Sequence, residues 1–269
     1  MIKFFCLGVA AALIAIAAMF FLKPMFRPAR VSSKEIYAAS STARIDHTVF
    51  DALLKKNVKN GRVDYANLKK EQDALRGYLK SLEALDAKLF SRNELLAMFV
   101  NAYNACTLEL ILEHYPGIAS IKDIPAGKRW DDKRWTVCGE LLSLSELEHS
   151  ILRKRFEEPR IHFAINCASI SCPPLRSEAY TGDAIDAQLQ EQALMMNREF
   201  GGAQWDAGTG MLRLSKIYDW YEGDFTRAGE LKDYVARYVT VDVAEQLKKK
   251  TKVDIVFLEY NWTLNDVQK

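Results

Sequence analysis

Helical spacing dominates the chain. Val49, Phe50, Leu53 and Leu54 recur at three to four residues, which predicts a first helix that Asn60-Gly61 ends through its tolerance of the left-handed conformation. After a short extended link at 62–65, Leu75, Tyr78, Leu79 and Leu82 mark one side of a second helix over about 70–85. A third, over 95–115 (LLAMFVNAYNACTLELILEHY), is apolar on almost every side behind the capping box Ser91-x-x-Glu94. A helix without a polar face belongs in the middle of a core. Pro116-Gly117 stops it, and the charged stretch 118–134 reads as a surface loop anchored by Trp130. Trp135 to Leu142 predicts a hairpin turning at Cys138-Gly139. A second capping box, Ser143-x-x-Glu146, opens a helix with Leu144, Leu147, Ile151 and Leu152 inward and Glu148, His149 and Ser150 between them.

A period of two appears at 160–166. Ile161, Phe163 and Ile165 alternate with His162, Ala164 and Asn166, which predicts a strand that breaks into a loop carrying Cys167 and Cys172 and stops at Pro173-Pro174. Thr181 or Asp183 is placed to cap the next helix, running to about Met196. Met211–Leu214 reads as a short strand, Ser215 as a helix start, 231–239 and 243–250 as further helices, and 253–260 (VDIVFLEY) as a final strand. About eight helices and about four short strands, unevenly mixed, predict an α+β fold. The expected form is one mostly helical domain over 46–269 around a small, largely antiparallel sheet.

Charge changes this picture at the N-terminus. Phe4 to Leu22 is 19 residues without a charge, flanked by Lys3 and by Lys23, Arg27 and Arg30. That length spans a bilayer as a helix. A cleaved signal peptide competes, but the apolar run continues past Ala15-Ile16-Ala17, where a cleavage site would end it. The expectation is an uncleaved signal anchor at 1–27 and a polar tether at 28–45, holding the globular part at a bacterial inner membrane on its periplasmic side. Charge flanking argues mildly for the opposite orientation. The whole chain carries a net charge of +2, of which residues 1–31 supply +4, so the remainder is near −2 and offers no nucleic-acid footprint. The expected partners are thus the membrane, through the N-terminal helix, and a substrate or envelope partner that the sequence does not specify, with no nucleic acid.

The chemistry gathers near the cysteine loop. Five cysteines are present: Cys6 in the apolar run, then Cys106, Cys138, Cys167 and Cys172. A thiol hydrolase or transferase needs a cysteine activated by a histidine that a third group orients. Cys167, leaving a strand into a turn, is the nucleophile candidate. His149 is the expected base, because strand parity puts His162 and Asn166 on the face away from Cys167. Glu148, Asn101 and Asn104 are candidate orienters. The two asparagines, three residues apart in a buried helix, fit equally as braces for a neighbouring loop. His162, Asn166, Cys172, Arg176 and Glu178 are candidates for substrate binding or support. A Cys167–Cys172 disulfide that staples the loop is the alternative, and would make the domain a binding or scaffolding module. By residue type His149, His162, Cys167 and Cys172 could also hold zinc, but the spacing fits no zinc module, so no metal or cofactor is expected.

Five stretches carry a resemblance: FVNAYNACTL at 99–108, SLSELEHSILR at 143–153, RIHFAINCASISCPPLRSEAY at 160–180, LSKIYDWYEGDF at 214–225 and YNWTLN at 260–265. Over about 46–265 the sequence resembles the bacterial domain of unknown function 547 family. The pattern usually has Trp at the position of Phe99, an aliphatic residue at Cys106 and Gly at Cys138. The resemblance therefore implies that Cys106 and Cys138 are incidental, whereas Cys167 and Cys172 belong to the pattern. It implies a domain and no reaction.

Overall fold

The computed structural model describes Tyr37 and residues 41–268. The expected anchor at 1–27, Cys6 and most of the tether lie outside the described residues. Helix α1 (Thr48–Asn57) packs on α2 (Gln72–Ser81), and α2 packs on α3 (Arg92–His114), which is the middle of the larger of two apolar cores among the described residues. Every residue of α3 from Glu94 to Leu112 is buried. The helix is long and apolar enough to cross a membrane, yet its apolar window is buried inside the protein. Its capping box is half made. Ser91 Oγ accepts from the Glu94 N–H at 3.3 Å, but Glu94 Oε1 accepts from the Ile45 N–H at 2.8 Å, tying the start of the domain to the start of the helix.

Several expectations change in the structure. Asn60 (φ 50°) and Gly61 (φ 75°) do not cap α1; they turn the hairpin of β1 (Val58–Lys59) and β2 (Arg62–Val63), since two consecutive left-handed residues suit a tight hairpin turn. The hairpin β3 (Trp135–Val137) and β4 (Glu140–Leu142) turns at Cys138-Gly139 as expected. At Ser143 both halves of the capping box form, and one turn, Leu144–Glu146, runs into a π-helix, Leu147–Phe156. Glu148 is buried together with Leu147, Ile151, Leu152 and Phe156; four residues after Leu144 and four before Leu152, it shares their inner face.

The predicted strand at 160–166 is absent. Pro159–Phe163 is a 3₁₀ helix, started by Pro at its first turn and by Glu158 Oε1 accepting from the Arg160 N–H at 3.1 Å. All of Ile161 to Asn166 is buried. The polar members of the alternating run are therefore buried and partnered too, so no solvent face existed for the alternation to mark. Neither Thr181 nor Asp183 caps the following helix, α4 (Ile185–Arg198): Asp183 pairs with Arg44 at 2.6 Å, and the Thr181 N–H donates to Gln188 Oε1.

The smaller core lies beyond α4. It gathers Phe163, Met196, Leu212, Leu214, Tyr218, Phe225 and Val235. Over it β5 (Ala203–Asp206), β6 (Met211–Leu214) and β7 (Asp254–Phe257) form a sheet, β6 antiparallel to β5 and parallel to β7. Helices dominate, so the fold is α+β, with three small sheets among the described residues in place of the expected one. The segment 261–267 then crosses back over the larger core. It bridges Ser120, Ser169 and Val63 in turn and closes over the cysteine loop.

Candidate functional site

The cysteine loop is held from beneath by amides. Asn104 clamps its entry: Nδ2 donates to the Ala164 carbonyl at 3.0 Å and Oδ1 accepts from the Asn166 N–H at 2.8 Å. Asn101 grips the exit in the same two-point way, at the Tyr180 carbonyl and N–H, 2.8 and 2.9 Å. Both side chains are buried with each amide end engaged on backbone, so they brace the loop and do not face a reacting group. Asn166 closes the loop on itself. Its Nδ2 donates to the Pro173 carbonyl at 2.7 Å, and its Oδ1 accepts from the Ala168 N–H at 2.8 Å and from Asn265 Nδ2 at 3.3 Å. The returning segment adds the Ile170 N–H to the Thr263 carbonyl and the Asn265 N–H to the Ala168 carbonyl. This bracing holds Ala168 at φ 62°, a left-handed conformation that costs an ordinary residue about 1–2 kcal/mol, directly after Cys167.

The bracing presents two free thiols. Cys167 Sγ lies 2.7 Å from Cys172 Sγ, 3.1 Å from the Tyr260 hydroxyl and 3.7 Å from Ser169 Oγ. The Cys167 N–H donates to Cys172 Sγ at 2.8 Å. Hydrogen bonding from the Cys172 thiol, against the opposing effect of burial and with help from Tyr260 and Ser169, holds the Cys167 thiol below its ordinary value. Burial, and then the neighbouring Cys167, push Cys172 far up. The pair is therefore unequal: one thiol poised to ionise, half-exposed, and one that stays protonated and donates to it. Burial and the thiols also hold the Tyr260 hydroxyl protonated, as a donor must be.

A histidine stands across a small cavity from this pair. The cavity, ≈ 40 Å³, is lined by Cys167, Cys172, His162, Glu148, Tyr103, Tyr260 and apolar or aromatic neighbours including Trp220 and Tyr221. His162 is 2 % exposed and stacks on Tyr221 with ring centroids 3.8 Å apart. Its Nε2 lies 2.8 Å from Asp224 Oδ2. Asp224 also accepts from Arg153 Nε at 2.6 Å and from an Arg227 guanidinium nitrogen at 2.7 Å. Burial works to raise the Asp224 carboxyl, but the bonds from His162 and Arg153 outweigh it and hold it well below the usual carboxylate range. Asp224 is thus an ionised acceptor, and Nε2 must carry the hydrogen between them. Burial holds His162 itself below its ordinary value, against the pull of Asp224, so the resting ring is neutral. Nδ1 is then a bare lone pair, and it is buried with no partner among the described residues.

The other sequence-predicted residues divide. Glu148 joins the cavity and His149 does not. The His149 side chain is 45 % exposed, and its Nδ1 accepts from Arg153 at 3.1 Å, which occupies the lone pair a base would need. His162 takes the place expected for His149, because the parity that set it aside belonged to a strand that does not form. Arg176 pairs with Glu191 at 2.8 Å and with Glu178 at 3.4 Å, and lines a separate pocket. Among the described residues, His149, His162 and the two cysteines do not converge into a metal-ligand cluster. Asp224, Tyr103, Tyr221 and Tyr260 were not among the expected site residues. The available signal was an acid inside an aromatic run, Trp220-Tyr221-Glu222-Gly223-Asp224-Phe225, which also reads as a helix end.

Comparison with known families accords with the resemblance over a segment. Residues 87–195 match the family described as "Protein of unknown function, DUF547". That segment holds α3, the π-helix, the cysteine loop and all but the last turn of α4, and stops short of Asp224 and Tyr260. No curated protein and no solved structure matches the chain.

Proposed function

We propose that this protein is a cysteine-dependent acyl hydrolase or transferase, tethered to the bacterial inner membrane with its globular part in the periplasm. The uncharged run at 4–22 supports the tether. One observation carries the chemistry: the ionised Asp224 fixes the tautomer of His162, so that a ring with an unpartnered Nδ1 lines the same small cavity as a thiol held below its ordinary pKa. In this reading the Cys167 sulfur attacks an acyl carbonyl and forms a thioester. His162 takes the thiol proton and passes it to the departing amine or alcohol as that bond breaks. Water, deprotonated by the same nitrogen, or an acceptor nucleophile then cleaves the thioester and restores the thiol. Asp224 balances the imidazolium that forms between the two transfers. His162 thus replaces His149 as the base.

The 2.7 Å approach of the two sulfurs favours a second reading, in which the cysteines are bridged. Two thiols would then lose two protons and two electrons to a disulfide donor of the compartment, and the loop would be a staple in a binding module. One experiment separates the readings. The reduced protein is mixed with p-nitrophenyl acetate and followed by peptide mass spectrometry. An acetyl group should appear on Cys167 and turn over. Cys167→Ala should abolish it, His162→Asn should slow it by about 10²-fold or more, and His149→Asn should leave it within a few-fold. A folded, reduced protein whose Cys167 takes no acetyl group refutes the hydrolase.

A further inference from the structure

The cavity beside Cys167 contains a second unserved group, and it belongs to Glu148. The residue is 6 % exposed and reaches the cavity wall from the inner face of the π-helix. The Tyr221 hydroxyl interacts with its carboxylate, yet Oε1 is buried with no hydrogen-bond donor among the described residues. The nearby cations are engaged elsewhere. His149 Nδ1, 3.9 Å away, is turned to Arg153, and Arg153 and Arg227 both sit on Asp224. A buried carboxyl oxygen left in this state opposes folding, and a ligand that brings a donor recovers the loss.

Size and wall chemistry narrow that ligand. At ≈ 40 Å³ the cavity admits a group of roughly one to three heavy atoms. Tyr103, Trp220 and Tyr260 are aromatic walls, which attract cations. An anion would meet the Glu148 charge. An apolar group would leave Oε1 without a donor. A guanidinium is a broad planar fork, too large for the space. A primary ammonium is compact, carries three donors and no acceptor, and satisfies each of these demands.

We propose that Glu148 binds the free primary ammonium of a small aminoacyl group: the ammonium and its carbon enter the cavity, and the adjoining carbonyl stays at the open side, beside Cys167. The site would thus select aminoacyl amides or esters with an unblocked amino end. The word substrate here rests on the hydrolase reading above, whereas the amine site is tested by binding alone.

Isothermal titration of the full-length, reduced protein with L-alaninamide and with N-acetyl-L-alaninamide decides it. L-Alaninamide should bind at least tenfold more tightly, and Glu148→Gln, which keeps the shape and removes the charge, should abolish that difference. Equal affinities for the two probes in the wild-type protein, or no binding of L-alaninamide at all, would overturn the assignment even if the variant did not fold. A difference that survives Glu148→Gln in a folded protein would overturn it as well. Because no turnover is read, selective binding with an unreactive Cys167 supports the amine site while removing the hydrolase. Acetyl turnover at Cys167 without selectivity does the reverse.

Discussion

At the residue scale, the protein keeps several ionisable side chains away from water, and each leaves a mark that solution measurements can read. His47 is the clearest outside the site. It is buried, its Nδ1 lies 2.8 Å from the Tyr78 hydroxyl, and its Nε2 has no partner among the described residues. Burial lowers its pKa from 6.5 to about 4, with Asp46 opposing weakly. The unfolded chain therefore binds a proton that the folded protein refuses across this interval. Stability from His47 is complete above about pH 6.5 and is lost as the pH falls towards 4. Urea unfolding at pH 7 and pH 5 should differ by about 2 kcal/mol on this account. His162, also lowered by burial, acts in the same direction. His47→Asn should remove its share of the slope; an unchanged slope would show that His47 is solvated in the native state. Single residues were the most legible scale in the sequence. Cys167, Cys172, Glu148 and His162 were all named from it. What they face was not, because a partner such as Asp224 lies 62 positions from His162 along the chain.

At the element scale, legibility followed periodicity. The hairpin at Cys138-Gly139 and the short strand at Met211–Leu214 were readable because burial and period agree in them, and α3 because an apolar run without a polar face is buried all round. Two elements beside the site were not. In the π-helix the apolar residues alone marked the inner face, so Glu148 was set between them although it is buried on that face. The run 160–166 alternates in polarity but is buried throughout, because His162 and Asn166 find their partners inside the protein. The asparagine clamps are the testable consequence. Asn104→Ala leaves the Ala164 carbonyl and the Asn166 N–H without partners and should cost about 2–4 kcal/mol in urea unfolding. Asn101→Ala should cost a similar amount through Tyr180. The two should part in function. Asn104 holds the segment that enters Cys167, so its loss should also slow acetylation of Cys167, whereas loss of Asn101 should not. Equal effects of the two on acetylation would mean that the loop is positioned from elsewhere.

At the scale of the whole molecule, the site exists where distant segments close on one loop. Asn104 comes from the central helix, Glu148 from the π-helix, Asp224 from beside the smaller core, and Tyr260 from just before the returning segment 261–267. The matched family segment, 87–195, supplies the thiols, His162 and Glu148, while Asp224 and Tyr260 lie beyond it. The central claim is that this closure makes Cys167 a thiol poised to ionise, with Cys172 and Tyr260 as donors. Site-resolved mass spectrometry of iodoacetamide alkylation across a pH series measures it directly in the reduced protein. Cys167 should react with a midpoint below the ordinary thiol value of about 8.5, ahead of Cys172, Cys106 and Cys138. Tyr260→Phe, by deleting one donor, should move that midpoint upward. A Cys167 midpoint at or above the ordinary value, unmoved by Tyr260→Phe, would contradict the account.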